Sequence, residues 1–481
     1  MKNRTSSRTR SREYLITDRP ISAICAFSLP IMLGNLFQQF YTIADSVILG
    51  RFVSENALAA VGASGALTHV FICIAIGGGT GSAVLVGRWF GAREYGRMRL
   101  TVSTILLSFL NLSLLLSVVG FFLHRSLLEL LRTPPELLPM TASYLQIYFL
   151  GLPFLFLYNV LSALFHALGR SRIPLYLLLF SSLLNITLDL TLVCGFHLGV
   201  AGAAWATLFS QGFSVLLSFL LFLQVLRSCT RDVVGPLPLF SPGEFQEICK
   251  VALPSIFQQS TVSIGTLLTQ SVINPFGAQV LAGYSAASRV ESLCIVPLSA
   301  LGTAMSSYTA QNLGAALSAP GSVSRSGQPE PEPDPDSLDR AKKRVRQGYH
   351  ASLRLTAGIA VLLCLFLEFF APFLIRCFLG SEGTSAALST GVGYLRFLGF
   401  FFALLGLKLC TDGILRGAAD MGSFTLANLV NLTFRVAFAA LTAPRLGPAY
   451  VWYAIPLGWL LNFLISWRAY RLGKWTPGSA P

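Results

Sequence analysis

The chain has 481 residues, 53% of them hydrophobic and only 12% charged, with a mean hydropathy of +0.65. Soluble domains carry about 25% charged residues, so the composition excludes an ordinary soluble globular protein. The formal net charge of +14 would suit a nucleic-acid partner, but its placement along the chain argues against one.

Residues 1–19 form a basic tail, and the apolar stretch after them is too long for a signal-peptide core, so it reads as a retained span. Charges, prolines and glycines divide the chain from residue 20 onward into twelve apolar spans. These run roughly over 21–49, 57–87, 100–123, 137–168, 173–195, 199–226, 245–271, 277–313, 349–375, 386–415, 422–443 and 449–467. Their lengths match a hydrocarbon thickness of about 30 Å. A chain that crosses lipid must satisfy its own backbone hydrogen bonds, so every span is expected to be helical. The fold class is therefore an all-α integral membrane protein.

Lys and Arg alternate sides along this series. With the N-terminus inside, the even-numbered connections and both tails hold 25 of them, including Arg88, Arg93, Arg97, Arg99, Arg170, Arg172, Arg344 and Arg346. The opposite side has only Arg51, Arg125, Arg132, Arg376 and Arg445. This positive-inside asymmetry predicts a multi-pass plasma-membrane protein with both termini in the cytoplasm. The basic excess is then topology, with some contact to anionic lipid, and no nucleic acid is implied.

The two halves repeat. Ser28-Leu-Pro30 matches Ala252-Leu-Pro254, and the pairs Gln38-Gln39 and Gln258-Gln259 come a few residues after them. Leu58-Ala-Ala-Val-Gly-Ala-Ser aligns with Leu281-Ala-Gly-Tyr-Ser-Ala-Ala, and Ala167-Leu-Gly-Arg-Ser with Gly417-Ala-Ala-Asp-Met at an offset of 250. The organisation expected is a lobe over 20–226, a cytoplasmic linker over 227–244, a second lobe over 245–472 and a tail over 473–481. A Pro-, Ser- and acid-rich stretch, 315–338, reads as a disordered cytoplasmic insert in the second lobe. Two six-helix lobes in the same orientation suit a transporter that alternates access at their interface.

Two carboxylates sit inside apolar spans. Asp45 lies in the first and Asp189 in the fifth, with Asn185 one helical turn before it. A charge at the bilayer centre costs at least about 2.5–3.5 kcal/mol, so such residues usually face a polar cavity and carry a function. Here that function is to take and release a proton, or to hold a hard cation with oxygen donors, and Thr207 in the following span offers a hydroxyl. The alternative is structural, each acid pinned by a neighbouring hydroxyl.

The second half has its own charges. Lys408 and Asp412 are four residues apart and most simply neutralise each other. Glu291 and Arg435 are structural or gating charges, and Arg435 stands where the repeat places Asn185 in the first half, which disfavours a duplicate cation site. Gln38, Gln39, Gln258 and Gln259 are assigned to a substrate cavity. The run Gly77-Gly-Gly-Thr-Gly81 lacks the Gly-Lys-Ser/Thr ending of a phosphate loop, so it predicts close helix packing or local unwinding. Five scattered histidines and nine scattered cysteines form no metal or redox motif, so no cofactor and no metal beyond a sodium ion is expected.

The segment from Leu29-Pro-Ile-Met-Leu-Gly through Gln38-Gln-Phe-Tyr-Thr-Ile-Ala-Asp-Ser-Val-Ile-Leu-Gly-Arg51, with Asn56-Ala-Leu-Ala-Ala-Val-Gly-Ala-Ser after it, resembles the opening of multidrug and toxic compound extrusion (MATE) transporters. Gln311-Asn-Leu-Gly-Ala and Leu415-Arg-Gly-Ala-Ala-Asp resemble that family's second-half signatures, and the similarity runs from about residue 20 to 472. The resemblance implies twelve helices in two pseudo-symmetric six-helix lobes, exporting organic cations in exchange for protons or sodium ions. It also implies a first-lobe cation site of a helix-1 aspartate, an Asn-x-x-x-Asp pair and a threonine, matched here by Asp45, Asn185, Asp189 and Thr207. His166, Arg170 and Ala419 depart from the usual pattern at the cytoplasmic turns.

A secondary active efflux antiporter acting as a monomer is therefore expected, with organic cations and the lipid bilayer as its partners. A lipid-linked oligosaccharide flippase of the same superfamily is the alternative, with a membrane-embedded enzyme or scaffold behind it. An enzyme would need a nucleophile–base pair or a metal cluster that this sequence does not offer.

Overall fold

The structure is a computed structural model that describes residues 13–230, 233, 238–317, 336–380 and 384–476. The tail before residue 13 and residues 318–335 of the expected insert lie outside the described residues. Within them every regular element is helical. A single turn, α1 (Tyr14–Thr17), precedes α2 (Pro20–Phe52), α3 (Glu55–Gly91), α4 (Tyr95–Leu130), α5 (Leu138–Ala167), α6 (Arg172–Asp189) and α7 (Gly199–Cys229). The second half holds α8 (Pro242–Ile273), α9 (Ala278–Ala315), α10 (Ser337–Leu379), α11 (Ser385–Gly399), α12 (Phe402–Gly417), α13 (Met421–Leu446) and α14 (Ala449–Arg471).

Ten of these are long and apolar enough to cross a membrane singly, and α11 with α12 makes an eleventh span bent by 54°. The span expected over 386–415 is thus two helices, broken after Gly399. The twelfth, α8, has 32 residues, but Gln258, Gln259, Ser260, Thr261, Ser263 and Thr266 make it too polar to qualify by composition. Large apolar side chains such as Leu115, Phe122, Leu362, Phe369 and Phe373 point outward, as lipid-facing helices require.

Chain contacts define two compact units. One comprises Leu33–Phe90 and Glu94–Ile256; the other comprises Met1–Met32, Gly91–Arg93 and Phe257–Pro481. The units therefore cross the sequence halves at α2 and α8, each divided two residues after its proline, Pro30 or Pro254.

In the first unit α3 stays helical through Gly77–Gly81, so the run is a packing site and does not unwind. A Cβ at Gly77 would come within 2.6 Å of the Ile256 Cα, and one at Gly81 within 2.7 Å of the Val251 carbonyl. Backbone cannot retreat as a flexible side chain can, which explains the bare glycines. The start of α8 is fixed to α4 by polar contacts. Arg97 Nε meets Glu244 Oε1 at 2.7 Å, the Thr101 hydroxyl donates to Glu244 Oε2 at 2.7 Å, and the Arg97 guanidinium lies 3.9 Å over the Trp89 ring.

The second unit uses the same packing device. A Cβ at Gly302 of α9 would meet the Leu409 carbonyl of α12 at 2.9 Å. Its apolar core gathers Tyr284, Leu298, Tyr394, Phe402 and Trp459. The N-terminal turn is held here as well: Leu15 is buried, and its carbonyl accepts from Asn312 Nδ2 at 3.1 Å and from Arg344 at 3.2 Å.

Candidate functional site

Four helices of the first unit converge on two acids. α2 supplies Asp45 and, one turn earlier on the same face, Tyr41. α6 supplies Asn185 and Asp189, and its regular coil ends at Asp189, where a π-helical segment, Leu190–Gly195, takes over. Such widened turns are rare and concentrate at functional sites. α7 adds Thr207 and α5 adds Tyr144.

The carboxyl groups of Asp45 and Asp189 lie within hydrogen-bonding reach of each other. Asp189 is fully buried, Asn185 nearly so, and Asp45 half-buried. The Asn185 amide fits best with its nitrogen donating to Asp189 Oδ2 at 2.8 Å and its oxygen accepting from the Thr207 backbone N–H at 3.2 Å. In the opposite orientation the nitrogen sits 3.4 Å from Thr207 Oγ1. The Tyr41 hydroxyl pairs with the Thr207 side chain, and Tyr144 faces both acids. One oxygen of each acid, Asp45 Oδ1 and Asp189 Oδ1, is buried with no hydrogen-bond partner.

A cavity of ≈ 20 Å³ between α5 and α7 is lined by Tyr144, Tyr148, Thr207 and Gln211 among others, and Asp45, Asn185 and Asp189 are not in its lining. A water needs about 10–15 Å³ of such space. It therefore suits a water or a bare ion and is far too small for an organic cation. Two adjacent carboxylates out of water repel each other and lack solvation. A proton shared between them, or a cation held by their free oxygens, relieves both costs. That is the chemistry the arrangement supports.

The other sequence-assigned residues are distributed differently. Gln38 is exposed and Gln39 half-buried on α2 in the first unit, whereas Gln258 and Gln259 lie on α8 in the second, so no single unit assembles the four. Lys408 Nζ and Asp412 Oδ2 are 3.0 Å apart on α12, both buried. Asn428 bridges them, accepting from Lys408 at 3.2 Å and approaching Asp412 Oδ2 at 3.4 Å, while Ser466 Oγ donates to Asp412 Oδ1 at 2.7 Å. Glu291 accepts from the Tyr394 hydroxyl at 2.6 Å, with Arg435 interacting electrostatically beside it. Among the described residues no group of three or more His, Cys, Asp or Glu could hold a metal ion.

The sequence alone did not point to Tyr41, Tyr144, the π-helical segment, or Asn428 and Ser466 as the partners of Asp412. Tyr41 was within reach, being one turn from Asp45. Tyr144 had a weaker signal, Tyr144-Leu recurring as Tyr394-Leu at the 250-residue offset.

The MatE family model matches residues 30–191, 254–317 and 339–441, and its gap after 317 falls on the expected insert. The probable multidrug resistance protein YpnP of Bacillus subtilis (strain 168) is 29% identical over 456 residues, 95% of this chain and 96% of that protein. Two solved structures share the fold. A MATE protein in complex with MaL6 has a TM-score of 0.82 at 24% identity, covering 96% of this chain and 99% of its own. An outward-facing multidrug resistance MATE family transporter has a TM-score of 0.82 at 23% identity, covering 96% and 98%. With its all-helical membrane fold and a family match over most of its length, the chain belongs to the MatE family of membrane transporters.

Proposed function

We propose that the protein is a secondary active multidrug efflux antiporter, exporting organic cations in exchange for protons or sodium ions by alternating access. One observation carries the reading: Asp45 and Asp189 are packed together inside a membrane-spanning bundle, each with an unsatisfied buried oxygen. A proton or sodium ion entering this site neutralises it and favours one packing of α2 against α6; its release favours another. A ligand shifts a conformational equilibrium only through such differential binding. The full-length match to YpnP, a probable multidrug resistance protein, supports drug-like cargo, and aromatic side chains can hold organic cations through cation–π contacts. The termini are assigned to the cytoplasm by the positive-inside asymmetry, and the working unit is taken as a monomer.

The test is efflux of a fluorescent organic cation from proteoliposomes, with proton and sodium gradients imposed separately. Export driven by one gradient and lost in Asp45→Asn supports antiport and identifies the ion. Export indifferent to both gradients, or unchanged in Asp45→Asn, overturns it.

A further inference from the structure

The turn α1 is one helical turn long, yet its Leu15 side chain is buried. The Glu13 carbonyl opens the turn, accepting from the Ile16 and Thr17 N–H groups at 2.8 and 3.0 Å. A single turn does not persist by itself, because nucleation fixes several residues for very few hydrogen bonds. What keeps α1 helical is therefore what it docks on.

The dock is built from α9 and α10. Asn312 of α9 donates through Nδ2 to the Leu15 carbonyl at 3.1 Å and accepts through Oδ1 from Arg344 Nε of α10 at 2.8 Å. Arg344 Nη2 donates to the Leu15 carbonyl at 3.2 Å and to the Asp18 carbonyl at 2.8 Å. Carbonyls at the end of a helical turn lack partners within it, and a guanidinium supplies them. Tyr308 aims Arg344: its hydroxyl donates to the Arg344 carbonyl at 3.2 Å, and its ring lies 5.9 Å from the guanidinium. At the other end of the turn, Glu13 Oε2 meets Nη2 of the exposed Arg93 at 2.9 Å. All of these residues belong to the second unit.

The turn leads directly into α2, which starts at Pro20 and leaves the second unit after Met32 on its way to Asp45. The anchors of α1 are small, and Arg344 alone makes three of the hydrogen bonds, so these are lost together. Elements held by few buried contacts open at low cost.

We infer that α1 is a releasable latch. Docked on Asn312 and Arg344, it ties the start of α2 to the second unit; released, it frees that end for the repacking of α2 that transport requires. The link to transport rests on the efflux reading, whereas the docking and release of the latch do not.

The experiment reads docking from the rate at which Leu15→Cys, in the full chain in lipid nanodiscs, reacts with a water-soluble maleimide. Thr17→Cys, exposed on the same turn, is the reference. Leu15→Cys is expected to react far more slowly than Thr17→Cys, and Arg344→Ala to speed it by about tenfold or more, the effect of losing charge-assisted hydrogen bonds. Asn312→Ala is the second route to release, should Arg344→Ala fail to fold. An unchanged rate in a folded dock variant overturns the latch. A second arm locks it, with a short bismaleimide joining Glu13→Cys to Arg93→Cys. The cross-link is expected to stop efflux from proteoliposomes while the unlinked double variant exports at the wild-type rate; linked protein that exports equally well overturns the need for release. If wild type exports no cation at all, the efflux reading fails, and the labelling rates still decide the latch.

Discussion

Asp189 and Asp412 are both buried carboxylates in membrane-spanning helices, and their surroundings could hardly differ more. Asp412 is fully provided for: Lys408 at 3.0 Å, Asn428 at 3.4 Å and Ser466 at 2.7 Å cover both its oxygens. Asp189 has Asn185 on one oxygen, nothing on the other, and a second acid beside it. A satisfied buried charge specifies structure, since removing either partner strands the other. An unsatisfied pair stores a cost that an arriving ion can relieve. On the proposed reading, a structural acid is told from a functional one by its partners.

Substitutions can break that contrast in order of effect. Asp45→Asn and Asp189→Asn should each reduce gradient-driven efflux to background in proteoliposomes while expression and thermal unfolding stay close to wild type. Lys408→Ala should do the reverse in kind. By leaving Asp412 buried and unpaired it should cost about 3–5 kcal/mol in detergent-solubilised unfolding, and the double variant Lys408→Met/Asp412→Leu should recover most of it. Gly77→Val probes the contact between α3 and α8 in the first unit. A side chain built 2.6 Å from the Ile256 backbone should cost about 1–3 kcal/mol of stability, seen as a lowered unfolding temperature. Arg125→Ala removes an exposed pair with Glu129 at 3.3 Å and should change stability by less than about 0.5 kcal/mol, a baseline for the others.

How far the sequence could be read depends on the range of each interaction. Twelve spans were legible because lipid imposes one length and one polarity on each crossing. The break between α11 and α12 was not, since Gly399 is the only local sign and glycine is common in membrane helices. Asn185 and Asp189 could be placed on one face by their spacing, but nothing local brings Asp45, 144 residues earlier, against Asp189; that meeting depends on how α2 and α6 pack. The π-helical segment after Asp189 has no residue signature at all. Glu244 shows the same limit, its partners Arg97 and Thr101 lying more than 140 positions away.

The most direct test of the contrast is ion counterflow on addition of an organic cation to proteoliposomes without any imposed gradient. Proton or sodium movement should be seen in wild type and in Lys408→Met/Asp412→Leu, and should vanish in Asp45→Asn. Counterflow that persists in Asp45→Asn, or that disappears in the folded second-unit variant, would contradict the assignment of coupling to the unsatisfied pair.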